Sequence, residues 1–224
     1  LYLLESASGK QRWSYSRVLP ALTLREQSHL LMSGNAVFAG HAGGKLNALA
    51  LNNGGPLWEV NVAQPRGATE LERIADVVGP LAADDRMVCA AAYQGRVGCF
   101  DQISGNSVWA RDFSALRGVA MDSRFVFAAD DHDNVSAFEK RRGTNPWKQE
   151  KLHDRKLSSP VTVADRFVAL GDFEGWIHLL NIEDGAFAAR VSSDGSPINS
   201  VMIPLKSGLI AQTAKGGVFA YRLQ

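Results

Sequence analysis

Apolar residues in this chain fall in short runs bounded by glycine, and the runs recur in one frame. With Gly9, Gly54, Gly105, Gly143 and Gly185 as anchors, the position eight residues earlier holds Leu1, Leu46, Val97, Val135 or Ile177. The position five earlier holds Leu4, Leu49, Phe100, Phe138 or Leu180. Four residues after the first four anchors stand Trp13, Trp58, Trp109 and Trp147, and the fifth copy has Ala189 there. A sixth, truncated copy keeps the frame with Gly216, Val218, Ala220 and Tyr221. The tryptophans are 45, 51 and 38 residues apart, a period of about 40 to 50 that marks a repeat architecture.

Each copy predicts a strand, a turn closed by a glycine that accepts positive φ without a Cβ clash, and a second strand beginning near the tryptophan. Positions eight and six before the anchor share one face of the first strand and position five lies on the other. Both faces are apolar, so both must be covered, which in an antiparallel meander means sheets stacked face to face. Further apolar runs lie upstream at Ala36 to Gly40, Met87 to Ala92, Phe125 to Ala129, Phe167 to Gly171 and Gly208 to Thr213, and one more precedes most of these, as in Ser159 to Val163. Four short strands per period, repeated radially, make the blades of an all-β propeller. The constant offset from turn to tryptophan sets each indole on a fixed face, where it locks one blade against the next. Residues 1–224 read as one propeller domain carrying four complete and two partial blades. An open ring would leave strand edges unpaired, so further N-terminal blades are expected outside this chain.

The 24 Lys and Arg residues against 23 Asp and Glu give a net charge of +1, too little for a sustained field toward nucleic acid or an anionic membrane. No apolar stretch approaches the roughly 20 residues of a membrane helix. Motifs for catalysis fail on their chemistry. In Gly40-His41-Ala42-Gly43-Gly44-Lys45 the spacing of a phosphate loop is wrong and Leu46 stands where Ser or Thr is required, so Gly43-Gly44 reads as a hairpin turn. Asp130-Asp131-His132-Asp133-Asn134 carries metal-ligand residue types, but it sits at a hairpin where Asp and Asn tolerate left-handed backbone, and it reads as a solvated turn. His29, His41, His132, His153 and His178 show no pairing at ligand spacing, and no Gly-x-Ser-x-Gly elbow exists. The chain nominates no catalytic residue, no metal and no cofactor. Cys89 and Cys99 fall on consecutive strands. A two-residue turn at Gln94-Gly95 would set Cys99 opposite Ala90 and Cys89 opposite Phe100, on different faces, which argues against a disulfide.

The stretch Asp101-Gln102-Ile103-Ser104-Gly105-Asn106-Ser107-Val108-Trp109 resembles the repeat of the pyrroloquinoline quinone propellers, which include enzymes and non-enzymes. The dehydrogenases among them carry adjacent cysteines and a calcium-binding acidic cluster, and this chain has no adjacent cysteines. Residues 67–77, Gly-Ala-Thr-Glu-Leu-Glu-Arg-Ile-Ala-Asp-Val, and 19–25, Leu-Pro-Ala-Leu-Thr-Leu-Arg, resemble two inter-blade loops of the BamB family. Phe173 to Ile177 with Asn181 to Gly185 resemble that family's penultimate blade. The resemblance covers essentially the whole chain. It implies an eight-bladed ring, anchored to the periplasmic face of the bacterial outer membrane by a lipidated N-terminal cysteine. It further implies a non-enzymatic scaffold that binds a periplasmic POTRA domain of BamA and supports the folding of outer-membrane barrels. In that family the contact uses two leucines and an arginine of the first loop and two acidic residues of the second. On this chain these are Leu22, Leu24, Arg25 and Asp76, flanked by Glu70, Glu72 and Arg73, while Val78 stands where the second acid is expected. Alternating leucines equally suit the inner face of a strand, but Pro20 before them and Arg25-Glu26 after them favour a surface loop. A quinone-dependent oxidoreductase and a propeller module with another partner are the competing readings. Strands should dominate, with at most a helical turn near Glu70 to Ala75.

Overall fold

The structure, a computed structural model, describes residues 1–25 and 28–223. The described residues build six antiparallel sheets in strict sequence order. The first pairs β1 (Tyr2–Leu4) with β2 (Gln11–Ser14). Four complete blades follow: β3 (Leu30–Ser33), β4 (Ala36–His41), β5 (Lys45–Ala50) and β6 (Pro56–Asn61); then β7 (Ala82–Ala83), β8 (Met87–Ala91), β9 (Arg96–Asp101) and β10 (Ser107–Asp112). The next two are β11 (Val119–Met121), β12 (Phe125–Ala129), β13 (Val135–Glu139) and β14 (Trp147–Gln149); then β15 (Val161–Val163), β16 (Phe167–Gly171), β17 (Trp176–Asn181) and β18 (Phe187–Ser192). The last sheet holds β19 (Ile203–Leu205), β20 (Gly208–Gln212) and β21 (Val218–Arg222). One partial blade at each end, and four whole ones between, are the organisation the repeat frame predicts.

Each hydrophobic cluster draws on two neighbouring sheets. Phe38, Leu46 and Ala48 of one blade pack with Val88, Ala90 and Phe100 of the next, and Phe127 and Val135 pack with Val168, Leu170 and Leu180. The middle strands β5, β9, β13 and β17 are buried on both faces, as their two-sided apolar pattern requires. The outermost strands alternate or are exposed.

The repeated tryptophan is the joint between blades. Its Nε1 donates to the carbonyl three residues before the next anchor glycine: Trp13 to Leu51 (2.9 Å), Trp58 to Gln102 (2.9 Å), Trp109 to Lys140 (2.7 Å) and Trp147 to Ile182 (2.9 Å). The indole lies flat on that glycine. A Cβ added at Gly54, Gly105, Gly143 or Gly185 would come within 2.4–2.9 Å of the ring, and each of these glycines also has φ near +70°. Glycine is therefore required twice over, for its left-handed turn and for the ring above it. Opposite each tryptophan, across the hairpin, is the residue six before its own anchor: Leu3, Ala48, Cys99 or Ala137.

One expectation is overturned here. Cys89 and Cys99 form a disulfide. The β8–β9 connection holds three residues, Tyr93 to Gly95, with Ala92 N donating to Arg96 O and Gln94 at φ +47°. The extra residue shifts the register by one, so Cys89 faces Cys99 directly and both point into the same cluster. The Gly43-Gly44 turn forms as predicted, both glycines at positive φ between paired His41 and Lys45.

Candidate functional site

Residues 15–29 and 62–81 connect consecutive blades, and the fold lays them side by side. Ser28 bridges Gly79 in parallel, and its hydroxyl donates to Val77 O at 3.3 Å. Val77 N in turn donates to His41 O at 3.0 Å, and Tyr93 N to Asp76 O at 3.0 Å, so the second connection is seated on both neighbouring hairpins. Its residues Ala75, Val77 and Val78 are buried.

The first connection forms no strand over Leu22 to Arg25, so the alternating leucines belong to a loop. Leu22 is 43% exposed, Leu24 is half-buried and Arg25 is exposed. Leu19 and Val18, which the pattern of alternating leucines does not single out, are more open still. Glu26, beside Arg25, lies outside the described residues.

Asp76 plays a part that its place in the motif does not reveal. Its side chain is buried at 3% exposure, with Oδ2 accepting from Leu24 N at 2.7 Å and Oδ1 from Gly43 N at 3.0 Å. The carboxylate ties the leucine loop, at Leu24 N, to the β4–β5 hairpin and the second connection. Val78, at the position of the family's second acid, is also buried, and Gly79 follows it in contact with the backbone of Gly118. That stretch is packing.

Glu70, Glu72 and Arg73 lie on an exposed turn. Arg73 N donates to Thr69 O, and the Glu72 carboxylate accepts from Thr69 N and Ala68 N while Glu72 N donates to the Thr69 hydroxyl. This is the reciprocal arrangement that starts a helix, here one turn long as expected. The backbone N–H groups, Thr69 first, hold the Glu72 carboxyl below its usual range. Glu70 pairs with Arg73 at 3.5 Å on the surface, and the turn presents Leu71, 67% exposed, to solvent. Leu71 escapes a sequence reading because a single apolar residue in a polar loop carries no periodicity.

Two other clusters emerge only from the fold. The histidines without pairing in sequence include one pair in space: the rings of His132 and His153 stack with centroids 5.5 Å apart. Buried His178 contacts Asp172 Oδ2 at 2.8 Å, and Arg155 joins the same oxygen at 2.7 Å. That pair is sealed among β16, β17 and the β14–β15 connection. Burial opposes ionisation of Asp172, but hydrogen bonds from His178, Trp176 N and Arg155 outweigh it and bring the carboxyl down to about 2.

The geometry defines a β-propeller whose blades are riveted by tryptophan on glycine and whose paired inter-blade loops offer an apolar surface. Comparison with known proteins is specific beyond that class. The family profile described as outer membrane protein assembly factor BamB matches residues 1–149, and the chain belongs to this family. It is 42% identical to outer membrane protein assembly factor BamB of Bordetella pertussis over 96% of this chain and 56% of that protein. It is 44% identical to the BamB of Nitrosomonas eutropha over 100% of this chain and 55% of that protein. The crystal structure of BamB from Moraxella catarrhalis superposes with a TM-score of 0.87 at 26% identity, over 99% of this chain and 66% of that one. The chain thus spans about half the length of the curated relatives it matches.

Proposed function

We propose that this chain is the larger part of a non-enzymatic scaffold for outer-membrane protein assembly, held at the periplasmic face of the outer membrane by a lipid anchor in the intact protein. It docks through its paired loops onto a POTRA domain of BamA. The observation that carries this reading is the leucine loop: Leu22 stands in solvent on a segment whose backbone is pinned by buried Asp76. A loop held that firmly presents apolar side chains without the ordering cost of a floppy one. Family membership supports the assembly role, since the relatives are named as assembly factors. On this reading Leu22, Leu24 and the neighbouring Leu71 fill an apolar recess on the partner, and Arg25 pairs with a carboxylate at its margin. Among the described residues no carboxylate lies within ion-pair distance of Arg25, which leaves its charge for the partner. Asp76 acts by positioning.

Truncating an anchor of this kind costs about 2 kcal/mol or more, roughly a thirtyfold loss of affinity. Leu22→Ala, Leu24→Ala and Arg25→Ala should each weaken capture of BamA's periplasmic region by about that factor while the melting temperature stays nearly constant. Normal capture by a variant whose melting temperature has dropped steeply would assign these side chains to packing and remove the docking site.

A further inference from the structure

We infer that His132, His153 and Asp154 form a divalent transition-metal site that ties one blade to the next, with zinc the natural occupant. His132 sits on the β12–β13 hairpin; His153 and Asp154 come from the β14–β15 connection. One ligand atom from each lies within 4.8 Å of the other two, and His153 Nε2 and Asp154 Oδ2 are 3.3 Å apart. Two ligands on tetrahedral zinc with bonds of about 2.05 Å are separated by about 3.3 Å, so one edge of the tetrahedron is already at its final length. The other two edges close by small rotations of exposed side chains.

The frame beneath these side chains is fixed. Asp154 N donates to His132 O at 3.2 Å, and Lys156 N and Leu157 N donate to the Asp133 carboxylate at 2.6 and 2.9 Å. Asp133, Asp154 and Lys156 all hold positive φ, and Leu152 and Leu157 bury both ends of the connection. Two cations that follow the cluster are engaged elsewhere: Arg155 forks between Asp172 and Glu174, and Lys156 lies over the Phe173 ring. Asp130 and Asp131 add negative charge on the hairpin. Two imidazoles and one carboxylate match a borderline ion such as Zn²⁺, with water in the fourth position, and do not match the all-oxygen shells of Ca²⁺ or Mg²⁺.

The test is calorimetric titration of the full chain, free of purification histidines, with Zn²⁺. The cobalt form is followed in parallel by its visible absorption. One equivalent of Zn²⁺ should bind, Co²⁺ should give the intense bands of a tetrahedral site, and Ca²⁺ and Mg²⁺ should not compete. Losing outer-shell partners alone typically costs about 10–100-fold in metal affinity, so Asp154→Asn should lose at least about tenfold. The double substitution His132→Gln/His153→Gln should abolish binding. Asparagine tolerates the left-handed backbone at 154, so that variant keeps the loop. Zinc should raise the melting temperature of the parent chain and leave the double variant unmoved. Absence of a stoichiometric site in the parent, or unchanged affinity in the double variant, overturns the assignment.

Discussion

Two systems hold this propeller together, and they differ in kind. The tryptophan joints repeat: an indole, a carbonyl three residues before a glycine, and the glycine itself, at Trp13, Trp58, Trp109 and Trp147. The carboxylate ties between loops do not. Asp76 reaches Leu24 N and Gly43 N, Asp133 reaches Lys156 N and Leu157 N, and Asp172 gathers Arg155 and His178, although its bonds to the N–H groups of its own turn recur at Asp130. The first system joins blade to blade in the same way each time. The second shapes the loops that make one blade unlike another, and the candidate partner surface and the histidine cluster both lie on loops held in this second way.

The largest expected effect is at a joint. Trp109 is 5% exposed, donates to Lys140 O and covers Gly143, so Trp109→Ala removes a large buried ring and orphans a carbonyl. Such truncations cost about 3–5 kcal/mol. Trp13, partly exposed beside the two-stranded sheet, should cost clearly less on the same substitution. Equilibrium unfolding in urea measures both. If Trp109→Ala loses under about 1 kcal/mol, the joints are ornaments and the blades are held by their apolar faces alone.

The contrast also explains what could be read from the chain. Strands over Phe125–Ala129 and Phe167–Gly171 form where the pattern places them, because two-sided burial writes itself as a continuous apolar run. The joints were legible because their spacing is constant. The disulfide was not, since Cys89 and Cys99 meet only through one additional loop residue, and a local turn assignment cannot weigh Gln94 in a left-handed conformation against a two-residue hairpin. The burial of Asp76 and Val78 was likewise hidden: the Leu24–Asp76 bond spans 52 residues, and no local pattern encodes a partner at that separation. His132 and His153 stack because two connections cross, again a fact of topology.

The intermediate effect is at Asp172, where a tie is fully buried. Asp172→Ala leaves Arg155, His178 and two N–H groups without their acceptor, a loss of about 3 kcal/mol at neutral pH. The folded carboxyl titrates at about 2, below its ordinary 3.8, so its contribution is complete above about pH 4 and drains away as pH falls toward 2. Stability measured across that window should fall more steeply for the parent chain than for the variant. Parallel acid curves would show that the carboxylate is not the group holding this loop, and would move Asp172 out of the comparison.

The smallest effect is at Asp76 and is the one that separates positioning from contact. Asp76→Asn keeps one acceptor oxygen for two N–H donors, so one of Leu24 N and Gly43 N loses its bond, at a cost of about 1 kcal/mol. Global unfolding should barely register it. Amide hydrogen exchange should, because the loss falls on the opening of one loop: exchange at Leu24 should accelerate by about fivefold, the factor that about 1 kcal/mol represents. The Trp109 joint should keep its protection. BamA capture should weaken by no more than the factor by which the loop opens, since Asp76 faces backbone and offers no free oxygen to an arriving cation. Were Asp76 instead a direct contact, capture would fall and become less sensitive to salt while Leu24 exchange stayed at the parent rate. That outcome would make the second loop part of the interface proper and leave the leucine loop to hold itself.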